Sequence, residues 1–202
     1  MAEVAITSVD VKNNPAPFAD EIELEVQYEC LTALKDDLEW KVIYVGSAET
    51  EEHDQVLDTA FVGPVQPGAY KFTMRAPAPD AGRIPQGDVV GVTALLLTCS
   101  YQGKEFVRVG YYVNTEYADP ALIEAPPEKP LLEKLQRNIM ADHPRVTKFH
   151  HDFDNEPAPA PQPVEGDVMG DDDDGMALDE MGADDDDEEE DEASADEEVM
   201  DD

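Results

Sequence analysis

An all-β sandwich is the fold class that this amino-acid sequence predicts, and three observations predict it. The segment 21-EIELEVQYE-29 alternates strictly, with Ile22, Leu24, Val26 and Tyr28 on one parity and Glu21, Glu23, Glu25 and Gln27 on the other, the pattern of a half-buried strand. Other apolar stretches of strand length recur at short intervals, divided by Gly63-Pro64, Pro67-Gly68, Pro77 to Gly82 and Gln102-Gly103. Each divider either fixes φ or permits a positive one. Helical periodicity is scarce. Many short strands with such turns and little helix belong to a sandwich.

Taken in order, strands are expected at Val4–Val11, Glu21–Glu29, Leu38–Val45, Val56–Val62, Tyr70–Arg75, Val89–Cys99, Glu105–Val113 and Arg145–Phe149. One helix is expected where Pro130 precedes LLEKLQRNIM, because Leu131, Leu135 and Ile139 recur at helical spacing and proline suits a helix start. A second, short helix is expected around Glu49–Asp54.

The stretch 91-GVTALLLTC-99 does not alternate. Val92, Ala94 and Leu96 are apolar on one parity, Leu95 and Leu97 on the other. The short Ser100–Lys104 connection, which contains Gly103, predicts a hairpin with Glu105–Val113. With Cys99 turned inward beside Trp40, Leu95 and Leu97 also face the core, and Val92, Ala94, Leu96 and Thr98 face outward. The partner strand offers Val107, Val109, Tyr111 and Val113 on one parity and Phe106, Arg108, Gly110 and Tyr112 on the other. The outward surface then combines Val92, Ala94 and Leu96 with Arg108 and Tyr112, the composition of a protein-binding hot spot. A loop or the 131–139 helix covering the same face would produce the same pattern, and periodicity leaves both open.

Charge divides the chain. The net charge of −36 separates into about −13 for residues 1–154 and −23 for residues 155–202, where no Lys or Arg occurs. A Pro/Ala linker, NEPAPAPQPVEGD, opens that second part. The expected organisation is one domain over 1–154, long enough to bury about two thirds of its unfolded surface, and a disordered acidic tail over 155–202. Such a field repels nucleic acid and anionic membrane and attracts basic proteins within a range set by salt. The stretch MAEVAITSVDVKNN has no basic region followed by an apolar run, so no secretory signal is expected. No apolar run nears the ~18 residues of a membrane span.

Cys30, Trp40 and Cys99 come in the order of an immunoglobulin disulfide and its packed tryptophan. Without a signal, free buried thiols are the expectation. Catalytic frames fail on spacing. Val45 stands where a nucleophile elbow requires its first glycine, and no phosphate-binding glycine loop occurs. The run DDDDG at 171–175 puts Gly170 and Met181 at the first and last calcium-ligand positions. His150, His151 and Asp152 lack the further spaced ligands of a metal site and are read as a solvated strand end. Neither an enzyme nor a cofactor is expected.

The segments LKDDLEWKVIYVGSAETEEHDQVLD (34–58), GVTALLLTCSYQGKEFVRVGYYVNTEY (91–117) and KLQRNIMADHPRVTKFH (134–150), with NNPAPF at 13–18, closely resemble the anti-silencing-function histone chaperones. The resemblance covers nearly all of residues 1–154. It implies an immunoglobulin-like β-sandwich, nuclear and monomeric when free, that binds a histone H3–H4 dimer and covers the surface through which two H3 copies pair. By position, the H3-contacting face comprises Val45, Ala48, Glu49, Glu51, Asp54, Val92, Thr93, Ala94, Leu96, Arg108 and Tyr112. Arg108 then pairs with an acidic H3 side chain and Asp54 with a basic one. The H4 C-terminal segment adds a strand at a sheet edge, framed by Ile6, Val109, Tyr111, Pro144, Arg145 and Val146. A separate groove at Asp37, Glu39, Val62 and Phe72 takes short basic motifs of chromatin-assembly and HIR-type deposition complexes. The family commonly has valine where this chain has Ala94, a loss of two methyl-sized groups that costs about 1 kcal/mol by analogy with core truncations.

Two readings of other classes stay open on sequence grounds. One is an extracellular adhesion module held by a Cys30–Cys99 disulfide. The other is an acidic scaffold that binds basic proteins through its tail alone.

Overall fold

Strict alternation sets most of the strands in the computed structural model, which describes residues 3–154. The Pro/Ala linker, the DDDDG run and the rest of the acidic tail, with the expectation of disorder placed on them, lie outside the described residues. In chain order the strands are β1 (Val4–Val11), β2 (Ala16–Pro17), β3 (Ile22–Cys30), β4 (Leu38–Tyr44), β5 (Gln55–Val62), β6 (Gly68–Ala76), β7 (Gly91–Tyr101), β8 (Lys104–Tyr117), β9 (Leu135–Ile139) and β10 (Arg145–Lys148). One helical turn, α1, spans Pro120–Glu124.

The strands form two sheets, as the sandwich prediction requires. A three-stranded sheet runs β1-β3-β6, and a seven-stranded sheet runs β2-β9-β8-β7-β4-β5 with β10 also paired to β8. All the pairings within them are antiparallel. The inward parity of β3 (Ile22, Leu24, Val26, Tyr28) meets that of β4 (Leu38, Trp40, Val42, Tyr44) and β7 (Leu95, Leu97, Cys99), and all are at most 1 % exposed. Tyr28 and Trp40 pack with ring centroids 5.3 Å apart, and Phe72 sits edge-on to Trp40 at the same distance. These rings join the two sheets.

Cys30 and Cys99 are both free and buried. Burial pushes both thiols up, so they stay protonated and behave as small hydrophobes. The adhesion-module reading loses its disulfide. The β7–β8 hairpin closes as expected, through Gln102 (φ 51°) and Gly103 (φ 75°). Two successive positive φ values match the right-handed twist of the flanking strands. β8 runs four residues beyond the expected end, because Thr115 and Tyr117 continue its buried parity.

The helix expected over 131–139 does not form. Leu132–Lys134 is a single 3-10 turn, and Leu135–Ile139 is strand β9, paired with β8 from Val113↔Ile139 to Tyr117↔Leu135. A spacing of four is ambiguous, since i and i+4 share a face in a helix and also in a strand. What decides is Arg137, which takes the same parity and is 2 % exposed. Its guanidinium donates to the carbonyls of Phe18 (3.0 Å), Asp20 (3.1 Å) and Glu21 (3.2 Å). Asn14 completes this seam by donating to the Ile139 carbonyl (2.6 Å) and accepting from the Ile139 N–H (2.8 Å). The NNPAPF segment is thereby fastened to β9. The short helix expected around Glu49–Asp54 is likewise only a 3-10 turn, Glu51–His53.

Arg137→Met should leave the buried Phe18 carbonyl without a donor and cost about 2–3 kcal/mol in urea denaturation. A loss below about 0.5 kcal/mol would contradict this role for the side chain.

Candidate functional site

The outward face of the seven-stranded sheet is set by register. Across β7 and β8, Val92 lies opposite Asn114, Ala94 opposite Tyr112, Leu96 opposite Gly110 and Thr98 opposite Arg108. Val92 is 64 % exposed and Tyr112 54 %, so neither a loop nor a helix among the described residues covers them. Gly110 has no side chain to fill the centre, and a Cβ there would press on the Leu96 methyl at 3.3 Å. A hollow of about 150 Å³ results, lined by Ala94, Leu96, Gly110, Tyr111, Tyr112 and Arg145. Ala94 forms part of its lining.

Arg108 stands beside this hollow. Its Nε and Nη2 donate to the two carboxylate oxygens of Glu105, at 2.8 and 3.0 Å. This fork raises the Arg108 pKa, with Glu51 and Asp54 contributing at longer range. Phe149 lies 5.9 Å from the guanidinium carbon. Among the described residues, two of its five donors are used. The Glu105 contact, invisible in the sequence pattern, holds the arginine in position at modest cost because the pair is partly solvated.

The loop after β4 brings the acidic residues to the same face. Val45 N–H donates to the Ala94 carbonyl at 2.9 Å, and the Thr93 hydroxyl donates to the Val45 carbonyl. Ser47 Oγ accepts from Glu49 N–H (3.3 Å) and Thr50 Oγ1 from Glu52 N–H (3.2 Å), local turns of the kind hydroxyl residues favour. Gly46 is required where the loop folds back, since a Cβ would overlap the His53 carbonyl, whose carbon would lie 2.9 Å away. Ala48, Glu49 and Glu51 are exposed, and Asp54 is half-buried. Burial and the neighbouring Glu51 push the Asp54 carboxyl up, and its Oδ1 is buried without a hydrogen-bond partner. An anionic oxygen in that position favours a cationic partner.

A second site lies where β10 and the edge strand β1 face one another. A cleft of about 160 Å³ between them is lined by Ile6, Val109, Tyr111, Pro144 and Val146, among others. Five of the six residues expected to frame an added strand thus meet in one cleft. Arg145 is the exception, and lines the hollow beside Ala94. β10 pairs with β8 on one side only, and its four residues are all exposed.

The profile described as "ASF1 like histone chaperone" matches residues 1–154. The chain belongs to that family. It is 60 % identical over 154 residues to "Histone chaperone asf1" of Drosophila melanogaster, covering 76 % of this chain and 71 % of the relative. To "Probable histone chaperone ASF1A" of Arabidopsis thaliana it is 58 % identical over 153 residues (76 % and 78 % covered), and to "Histone chaperone ASF1B" of Homo sapiens 56 % over 155 (77 % of each). Histone chaperone is therefore its functional class.

The third expected group falls elsewhere on this chaperone. Asp37 precedes β4, Glu39 is the second residue of β4 and forms an ion pair with Lys41 at 2.9 Å, Val62 pairs with Leu38 at the end of β5, and Phe72 lies in β6. β5 and β6 are the outer edges of the two sheets, in contact with each other, so the group spans the seam between layers. Sequence reasoning missed Phe61, opposite Glu39 and 66 % exposed, and Val56, opposite Ile43 and 57 % exposed. It also missed Met140, 40 % exposed, whose N–H donates to the Tyr112 carbonyl. Val56 and Phe61 differ in parity along β5, and the bulge opposite Val42 and Ile43 brings them to one face, so alternation alone could not have found both. His150 and His151, expected as one solvated strand end, differ, because His151 packs against Tyr101 and Phe106.

Proposed function

We propose that the chaperone binds one histone H3–H4 dimer in the nucleus, occludes the surface through which H3 pairs with H3, and passes the dimer to deposition factors. The supporting observation is the uncovered outward face of β7 and β8: Val92, Ala94, Leu96 and Tyr112 beside a pre-held Arg108, on a strand whose opposite face is core. Apolar surface around a positioned arginine is the anatomy of an interface centre. H3 helices laid on it exclude water from Val92 and Tyr112, while Arg108 engages an acidic H3 side chain and Asp54 a basic one. Val45, Ala48, Glu49, Glu51 and Thr93 form the rim.

The H4 C-terminal segment adds as a strand in the cleft between β1 and β10, with Ile6, Val109 and Tyr111 as its apolar floor. Hydrogen-bonding groups of an edge strand supply affinity, and the floor supplies specificity. The seam at Asp37, Glu39, Val62 and Phe72 takes a short basic motif of an assembly or HIR-type deposition complex, at the opposite end of the β4–β5 pair from Val45 and Asp54. The tail, with 23 acidic residues after Asn155 and no base, raises the encounter rate with basic histones, an effect that salt screens. Neither direct nucleic-acid contact nor a membrane is part of this reading.

Arg108→Glu should abolish H3–H4 binding in a fluorescence titration at moderate salt while the melting temperature changes little. Unaltered affinity would remove this face from the interface. Ala94→Val should tighten the complex by about fivefold, on the order of 1 kcal/mol for filling part of the hollow. Weaker binding would mean that H3 already occupies that space.

A further inference from the structure

The last described residues, His151 to Asp154, fold back over the tip of the β7–β8 hairpin, and nothing in the histone-binding reading uses them. The Tyr101 hydroxyl donates to Asp154 Oδ2 at 2.7 Å and accepts from the backbone N–H groups of Lys35 and Asp36, both at 3.1 Å. Lys35 N–H also donates to Asp154 Oδ2 at 3.0 Å, and Gln102 donates to Asp36 Oδ2 at 2.8 Å. The loop that carries Asp37 is thus held by the hairpin tip and by Asp154 together. Burial alone would raise the Asp154 carboxyl, but the hydrogen bonds from Tyr101 and Lys35 outweigh it and hold the group below the ordinary range. Burial pushes the Tyr101 phenol up. Across mildly acidic pH, neither partner of that bond changes its charge.

His151 is different. Its Nε2 lies 3.0 Å from the Tyr101 carbonyl oxygen, and Phe153 N–H donates to its Nδ1 at 2.8 Å. A carbonyl only accepts and an amide N–H only donates. Both contacts therefore exist together only in the neutral imidazole with the proton on Nε2. The bond to Nδ1 holds Phe153 at φ 51°, a left-handed conformation that is strained for a phenylalanine and persists only where its surroundings hold it. In that conformation the Phe153 ring fills a hollow against Phe106 (5.0 Å), His151 (4.5 Å) and Tyr101 (5.8 Å). A proton on Nδ1 sets donor against donor and removes the bond that maintains the turn.

We propose that His151–Asp154 is a proton-sensitive latch: neutral His151 pins Phe153 and Asp154 onto the hairpin and fixes the Asp37 loop, and protonation at Nδ1 releases all three. The charged groups around it do not substitute for His151. On the β10 side Lys148 borders the same hollow, while β1 contributes only Val4, Ala5 and Ile6. Asp152 is engaged by His150 at 2.8 Å, and Glu105 of β8 by Arg108. That leaves Asp154, Asp36 and Lys35 on the loop side, already within the network. The consequence for partners rests on the reading of the Asp37 groove given above: release loosens Asp37 and weakens the hold on a basic motif.

The test is nuclear magnetic resonance of the full-length protein between about pH 8 and pH 5, the range in which histidine charge changes. Long-range proton–nitrogen spectra should show the Nε2–H tautomer of His151 at the basic end. Exchange protection factors of the Lys35 and Asp36 amides should then fall about tenfold as His151 protonates, the equivalent of one lost hydrogen bond. In His151→Phe the protection should not vary with pH, and in Asp154→Ala it should be low throughout. The Nδ1–H tautomer, or Lys35 and Asp36 protection that is indifferent either to His151 protonation or to Asp154→Ala, would overturn the latch. A short Arg/Lys-rich peptide titrated in parallel should bind about threefold more weakly at the acidic end in wild type and equally at both ends in His151→Phe. Absence of peptide binding at every pH would overturn the groove reading while the amide data still judged the latch.

Discussion

The pairing of β7 with β4 and β8 is the constraint on which the rest depends. One face of β7 must close the core with Leu95, Leu97 and Cys99, so the other face is left to Val92, Ala94 and Leu96. A slip of one residue would exchange the two sets, and both are apolar, so hydrophobic pattern alone fixes this register weakly. It is fixed instead by neighbours: the two-residue turn at Gln102-Gly103, the Val45–Ala94 hydrogen bond and the Trp40↔Cys99 pairing. The apolar outward set is the unusual part. A monomeric sheet has no use for it, whereas a protein that covers another protein's self-association surface does.

Around that strand the fold arranges groups whose own demands are only partly met. Arg108 is held by Glu105 through two of its five donors among the described residues. Asp54 has one buried oxygen without a partner. β10 is paired on one side only, and the cleft beside it keeps β1 at a distance. With the apolar area of β7, the unmet demands are of three kinds: apolar area, charge and backbone hydrogen bonds. A partner that satisfied all three at once would be discriminated from one that satisfied any single term.

Much of the sandwich was legible in the sequence because strand alternation is read directly from side-chain polarity. β3, β4 and β8 from Val107 onward are cases in which one parity is buried without exception. β9 was not legible, because Leu131, Leu135 and Ile139 satisfy a helix and a strand equally and the residue that decides, Arg137, looks like a surface cation until its three carbonyl acceptors are seen. The outward face of β7 and β8 was legible as a set of residues. Its being uncovered was not, since the absence of the 131–139 helix was needed. His151 was hidden for another reason: its role depends on the turn at Phe153 and not on any spacing with other ligands.

The proposed function depends on whether the outward sheet face replaces H3–H3 contacts. The most direct measurement is the mass of the complex with H3–H4 by light scattering during size exclusion. One chaperone with one H3 and one H4 is the predicted result. A complex that retained an intact H3–H4 tetramer would contradict it.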